Sequence, residues 1–313
     1  MELPGRVVGI VALIFALACS AEDPVDEPAS QTNTATPLIY SVNHPLAYFA
    51  RRVGGEDVRV VFPAPPNTDP AKWNPSADEI AAFQVADLIL LNGVSHAAWV
   101  QRASLPASKI VDTSASFGDR LIELRDETVH THGPAGEHVH AGTARTTWLD
   151  PLLAIEQARA IADALIGLRP DRTASFMERF AALEVDLLAL DARFSEAAES
   201  IGDAPILFSH PVYQYFERRY RLNGASLHWE PDESPTPTMW RELNSILENH
   251  PSRLMIWEAA PQRETLHRLD SLGISSVVFA PCANTPETGD WLSAMFEAAA
   301  HLNGLGDQLL SGD

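Results

Sequence analysis

The sequence predicts an α/β fold of two lobes, each built on a four-stranded parallel sheet flanked by helices, with one long helix linking them. Short apolar runs alternate with helical stretches in both halves of the chain, which is typical of parallel sheets covered on both faces. Within residues 171–200, apolar side chains keep helical spacing for roughly 25 residues, long enough for one helix to connect two lobes. The 313 residues, 46% of them hydrophobic, suffice for two cores of ordinary size.

The N-terminal lobe is predicted over residues 38–170. Its strands are short runs rich in Val, Ile and Leu. Its last helix begins at Asp150-Pro151, because Asp can cap a helix and Pro suits the first turn. The predicted strands cover 38–42, 58–62, 86–91 and 109–112, and the predicted helices cover 47–52, 76–83 and 151–168.

The C-terminal lobe is predicted over residues 201–313 and repeats the same alternation of strands and helices. No short-period repeat relates the two halves, so their similarity is one of architecture. The predicted strands cover 205–209, 225–229, 253–257 and 276–279, and the predicted helices cover 211–220, 237–249, 261–272 and 290–303.

The N-terminal 37 residues predict export and a membrane anchor. Apolar residues 7–18 are too few to span a bilayer and are typical of a secretory signal. We predict a lipoprotein signal peptide over 1–18 and lipidation of Cys19; plain cleavage nearby and an uncleaved anchor are the alternatives. Residues 19–37, rich in Asp, Glu, Pro, Ser and Thr, are predicted to form a disordered tether.

The predicted anchor has two consequences. The protein would be exported and held at the cell membrane or the outer membrane, facing the periplasm or the exterior. The only other cysteine, Cys282, would lack a partner, which excludes an intramolecular disulfide in the mature chain.

The formal net charge of −20 narrows the class of ligand. A nucleic-acid binder needs a basic face to neutralise phosphates, so that class is excluded, whereas an acidic protein suits a cationic ligand. The sequence also has no Gly-rich phosphate loop and no His-Glu-x-x-His helix. We therefore predict binding and not catalysis; a metal-dependent hydrolase with Glu258 as general base is the enzymatic alternative.

Polar residues at the predicted strand ends indicate a metal site. In open α/β sheets, ligands bind outside the carboxyl ends of the strands. In the second lobe the first three strands end at His210, His228 and Glu258, and imidazole and carboxylate groups are suitable ligands for zinc. In the first lobe the strand ends carry His44 and His96, which we interpret as structural.

Residues 126–147 lack apolar periodicity and are predicted to form a long, His-rich loop. Four of the 11 histidines lie here, in two His-x-His pairs. Such pairs commonly bind metal, because neutral imidazole is the usual nitrogen ligand. Either they collect metal ions for the cleft or they belong to a solvated loop that binds metal adventitiously. These histidines are His130, His132, His138 and His140.

Several segments together resemble the zinc- and manganese-binding solute-binding proteins of ABC importers, over most of residues 38–305. The segments are 86–93 with Trp99, 148–151, 208–210 with Tyr215, Phe216 and Tyr220, and Glu230-Pro231. The resemblance implies two lobes on a rigid linking helix, with a metal ion between the lobes, and an ABC permease and its ATPase as partners. It implies Zn²⁺ in preference to Mn²⁺, because a His-rich loop is typical of the zinc-selective members. We expect a monomer.

Three positions depart from the ligand set that the resemblance implies. Ala71, Thr146 and Ala280 stand where the family usually has His, His and Asp, and only His210 matches. One explanation is a site rebuilt from His210, His228, Glu258 and histidines of the loop. The other is that the cleft no longer binds metal and serves another small ligand or none. A surface lipoprotein that buffers zinc, with no role in import, is the alternative function.

Overall fold

The computed structural model contains two four-stranded parallel sheets, one in each lobe. It describes Met1 and residues 36–124, 129–131, 137–139 and 142–311. The predicted signal peptide, Cys19 and nearly all of the tether lie outside these residues. Among the described residues, no helix is long and apolar enough to cross a membrane.

The first sheet has the strand order β2-β1-β3-β4. Its central strand β1 pairs in parallel on both sides, with Ile39 opposite Val60 in one neighbour and Leu88 in the other. Ile39 is fully buried, as a central strand covered on both faces requires. The strands are β1 (Leu38–Ser41), β2 (Arg59–Val61), β3 (Leu88–Leu91) and β4 (Ile110–Asp112).

A hairpin-like insertion follows β4, where the sequence predicts only a loop. It consists of two short antiparallel pairs, with His130 opposite His138 in the inner pair. The pattern that was interpreted as a loop also fits strands, because each of these histidines alternates with β-branched Val and Thr or with Glu. The pairs are β5 (Glu123–Leu124) with β8 (Gly142–Thr143), and β6 (Val129–Thr131) with β7 (Glu137–Val139).

The second sheet repeats the first, with the order β10-β9-β11-β12. Its boundaries differ from prediction mainly at β10, which ends at Ser226, two residues before His228. Backbone bonds to β9 nevertheless continue past that end, from Leu227 N to Phe208 O (2.8 Å) and from Trp229 N to Ser209 O (2.7 Å). The strands are β9 (Pro205–Phe208), β10 (Asn223–Ser226), β11 (Leu254–Trp257) and β12 (Ser275–Val278).

Eight helices cover these sheets in the part of the chain that the structure describes. The linking helix is α4. They are α1 (His44–Gly54), α2 (Ala77–Val85), α3 (Pro151–Leu168), α4 (Thr173–Ile201), α5 (Gln214–Tyr220), α6 (Pro237–Asn249), α7 (Arg263–Ser271) and α8 (Trp291–Ser311).

The linking helix α4 is 29 residues long and packs against α3 and α8. Its buried stripe includes Phe180 and Leu187, which belong to a hydrophobic core that also contains Ile39 of the first sheet and Phe208 of the second. The predicted fold class is thus confirmed, and one continuous core holds both lobes and their linker together.

Candidate metal centre

Three side chains of the second lobe converge at the carboxyl edge of its sheet. One donor atom each from His210, Glu230 and Glu258 lies within 4.8 Å of the other two. His210 and Glu258 are residues that the sequence predicts as ligands, whereas Glu230 is not. An imidazole and two carboxylates at this spacing can coordinate a divalent transition metal.

Two adjacent strands place the predicted members of the cluster. Glu258 directly follows β11, and His210 follows β9 by two residues. A hydrogen bond from Ser209 N to Ile256 O (2.8 Å) fixes the end of β9 against β11. His210 is 9% exposed. The two side chains therefore meet because their strands are neighbours in a parallel sheet.

Glu230 reaches the cluster from the segment after β10. Its neighbour Trp229 is buried, and its ring lies 4.7 Å from Trp240 and 6.1 Å from Trp257, measured between centroids. This packing anchors the segment and leaves the Glu230 carboxylate 3.9 Å from Nδ1 of His210. A carboxylate two residues beyond a histidine at a strand end is the signal that could have identified Glu230.

The carboxylates of the cluster repel one another. The pKa of Glu258 is raised to about 7, chiefly by burial and then by the carboxylates of Glu230 and Asp69, against the opposing charge of Lys72. Asp69 and Lys72 belong to the first lobe, so both lobes contribute charge here. Crowded carboxylates of this kind are stabilised by a bound cation.

Among the other predicted ligands, the structure describes the side chain of His228 alone. The His228 ring lies 5.9 Å from the His210 ring, at an interplanar angle of 81°. The backbones of His130 and His138 are in β6 and β7, and His132 and His140 lie outside the described residues. The participation of these five histidines remains a prediction.

The last loop of the second lobe links the lobes beside the cluster. Trp148 Nε1 donates to Pro281 O (2.8 Å), and His44 N donates to Ala283 O (2.8 Å). Asn284 Nδ2 donates to Pro65 O and Thr68 O, both at 2.8 Å. The loop that precedes Asp69 is thereby tied to the second lobe.

Two of the three residues at the divergent positions, Thr146 and Ala71, form hydrogen bonds that fix the structure around them. Thr146 Oγ1 donates a short hydrogen bond to Val212 O, which joins the two lobes. Ala71 N donates to Asp69 Oδ1 (2.9 Å), which shapes the loop of the first lobe. A metal site in this chain therefore needs a donor set other than the one that the resemblance implies.

Comparisons with known proteins agree with this fold. Zinc-binding lipoprotein AdcA of Streptococcus pneumoniae is 25% identical over 293 residues, which cover 92% of this chain and 56% of that protein. High-affinity zinc uptake system protein ZnuA of Bacillus subtilis is 22% identical over 252 residues, which cover 80% of this chain and 79% of that protein. This chain thus spans little more than half of AdcA.

A solved structure shows the same fold. The Zn(II)-bound ZnuA-like domain of Streptococcus pneumoniae AdcA superposes with a TM-score of 0.73 at 19% identity, over 87% of this chain and all (100%) of that chain. The family described as zinc-uptake complex component A, periplasmic, matches residues 39–304. Because that match covers most of the sequence, the resemblance is confirmed: the chain belongs to this zinc-uptake family.

Proposed function

We propose that this chain is an exported substrate-binding protein that captures Zn²⁺ between its lobes and delivers it to an ABC permease and its ATPase. The observation that carries the proposal is the convergence of His210, Glu230 and Glu258 within 4.8 Å, in a member of a zinc-uptake family. Drift after loss of metal binding gives no reason for three donor residues to meet at one sheet edge.

The chemistry of the donors supports a transition metal. Zinc takes imidazole nitrogen and carboxylate oxygen in a tetrahedral set, and the cluster offers both. Carboxylates also suit manganese, but imidazole binds zinc more strongly in the general order of metal affinities. We therefore assign Zn²⁺ as the transported ion and Mn²⁺ as the weaker competitor.

The proposal includes an anchor and a route to the site. A lipid on Cys19 and the tether of residues 19–37 would hold a monomer at the membrane, close to its permease. The lipoprotein name of the relative AdcA supports the anchor. Histidines 130, 132, 138 and 140 would collect ions before the cleft takes them.

Isothermal titration of the metal-free protein with Zn²⁺ tests the proposal. We expect tight binding of one ion, and a loss of about 100-fold or more in affinity in His210→Ala, because an imidazole ligand is removed. His267→Ala is the control, since His267 is exposed on α7.

Deletion of residues 130–140 separates the two metal-binding elements. If the loop only collects ions, one tight cleft site remains after the deletion. Weak binding of several ions in the wild type, abolished by the deletion and unaffected by His210→Ala, would refute capture in the cleft and favour a zinc-buffering lipoprotein.

A further inference from the structure

His96, a histidine in the turn that follows β3 of the first lobe, is buried without a hydrogen-bond partner, among the described residues, for one ring nitrogen. It is 3% exposed, and among the described residues nothing pairs with its Nδ1. A buried imidazole nitrogen left unpaired is unfavourable, and such groups in folded proteins call for a ligand or a functional reason.

The backbone before His96 is held in an unusual conformation. Gly93, Val94 and Ser95 have φ values of 73°, 47° and 53°, and a β-branched residue such as Val94 rarely adopts a left-handed conformation. The turn closes with a hydrogen bond from His96 N to Gly93 O (3.0 Å). Strain of this kind persists where the surroundings fix it and is common at ligand sites.

The neighbours of this turn place His96 at the boundary between the lobes. Asn92 Nδ2 donates to Arg145 O (2.8 Å), which holds the segment before α3 beside the end of β3. The ring of Trp148 in that segment lies 5.5 Å from the His96 ring, between centroids. Trp148 also donates to Pro281 O of the second lobe at 2.8 Å.

The charges around His96 connect it with the cluster. Burial lowers the pKa of His96 to about 4; Asp69 opposes this shift and Arg145 adds to it. Asp69 also raises the pKa of Glu258. One carboxylate thus acts on both residues. The geometric link is the segment before α3: its Thr146 donates to Val212 O, two residues beyond His210, and its Trp148 packs against the His96 ring.

His44 provides an instructive contrast in the same lobe. It is equally buried, at 5% exposed, and neither of its ring nitrogens has a partner among the described residues. The charges that act on it belong to Arg51 and Asp290, not to the cluster or to Asp69. An unpaired buried histidine alone therefore does not indicate a site. His96 differs from His44 in that it packs against Trp148, which donates to Pro281 O at the carboxyl edge of the second sheet.

We propose that His96 supplies the donor of the first lobe to the metal that His210, Glu230 and Glu258 bind from the second lobe. This inference rests on the proposed function. Three convergent donors leave one position of a tetrahedral zinc site open, and a donor from the opposite lobe would make the ion a bridge between lobes. Because no His96 atom is among those within 4.8 Å of one another, binding must bring its ring toward the cluster by a local shift of the turn that carries it.

The test compares zinc affinities of the wild type, His96→Gln, His44→Gln and His210→Ala by competition with a chelator. We expect His96→Gln to lose more than about 100-fold in affinity, beyond the roughly 10- to 100-fold effect of losing an outer-shell partner. His44→Gln should bind as the wild type does. Thermal unfolding of the metal-free variants checks that each one folds.

A second readout does not depend on the variants. In the ¹⁵N NMR spectrum of the wild type, we expect the His96 ring nitrogens to shift on addition of Zn²⁺ in the manner of direct coordination, and the His44 nitrogens to stay in place. Substituting ¹¹³Cd²⁺ for Zn²⁺ should split the signal of the coordinating His96 nitrogen.

Different outcomes overturn different claims. Wild-type affinity in His96→Gln, with His210→Ala impaired, would overturn the role of His96 and leave zinc capture standing. An unsplit His96 signal in the ¹¹³Cd²⁺-loaded protein would do the same. No tight zinc binding by the wild type would overturn the proposed function and this inference together.

Discussion

At the scale of single residues, the ionised carboxylate of Glu258 destabilises the folded protein but is well suited to bind a cation. Its raised pKa, about 7 against an ordinary 4.5, means that the folded protein binds more protons than the unfolded chain between these two pH values. The contribution of Glu258 to stability therefore falls as pH rises through this window. A carboxylate that is unfavourable for folding near neutral pH is well suited to bind a cation.

Glu258→Gln should remove this pH dependence. Above pH 7.5 the metal-free variant should be more stable than the wild type by on the order of 2–3 kcal/mol, because no buried charge has to form. Its zinc affinity should fall at the same time. Urea unfolding at pH 5 and pH 8 measures the first effect, and titration with Zn²⁺ measures the second. Equal pH dependence in both proteins would show that Glu258 ionises normally.

His44 should produce the opposite pH dependence. Its pKa is lowered from 6.5 to about 4, chiefly by burial and then by Arg51, so the unfolded chain binds more protons than the folded protein between these values. Stability due to His44 is therefore lost as pH falls from 6.5 toward 4.

Replacement by Gln tests this account of His44. Between pH 7.5 and pH 5, the wild type should lose about 2 kcal/mol more unfolding free energy than His44→Gln. Chemical denaturation at the two pH values provides the comparison. If both proteins lose the same amount, His44 has the same pKa in the folded and the unfolded states, and burial does not lower it.

At the scale of elements, the linking helix α4 was the most predictable part of the chain. Its long apolar stripe with helical spacing identified it, and the structure gives Thr173–Ile201. Adjacent leucines on this helix have opposite environments, since Leu187 is fully buried in the shared core and Leu188 is 48% exposed.

This pair supports a matched prediction. Leu187→Ala should destabilise the protein by about 2–5 kcal/mol, because it leaves a cavity in the core that joins the lobes. Leu188→Ala should change the unfolding free energy by less than about 0.5 kcal/mol. Denaturant unfolding distinguishes them. Similar losses at both positions would mean that the exposed face of α4 also packs against something.

The site was predictable only where strand ends determine it. His210 and Glu258 follow β9 and β11, so the rule that ligands bind beyond the carboxyl ends of strands identified both. Glu230 escaped this rule because its segment lies after β10, and packing of Trp229 positions it. The carboxylate two residues beyond His228 was a local signal for this segment. Packing between distant parts of the chain, which no local pattern encodes, determines that Glu230 reaches the cluster.

Boundaries of the less regular elements were harder to predict for the same kind of reason. The strand ending predicted at His228 ends at Ser226, because only Asn223–Ser226 pair continuously with β9. The short pairs β5–β8 and β6–β7 were missed because the Gly and Pro residues between the two His-x-His pairs are typical of loops. Cross-strand pairing, which a single segment does not encode, decides both cases.

At the scale of the whole molecule, the lobes are joined by more than their linking helix. One core contains residues of both sheets and of α4, and the last loop of the second lobe bonds to Trp148, His44 and the loop before Asp69. Elements joined in this way leave small rearrangements as the means of closing on a ligand. We therefore expect metal capture with little movement of one lobe against the other.

The most direct measurement is a crystal structure of the zinc-loaded protein, with anomalous diffraction recorded on both sides of the zinc absorption edge. We predict one strong anomalous peak in the cleft, at coordinating distance, roughly 2.0–2.2 Å, from His210, Glu230 and Glu258. An anomalous peak confined to the histidines of residues 130–140, with none between the lobes, would contradict the account.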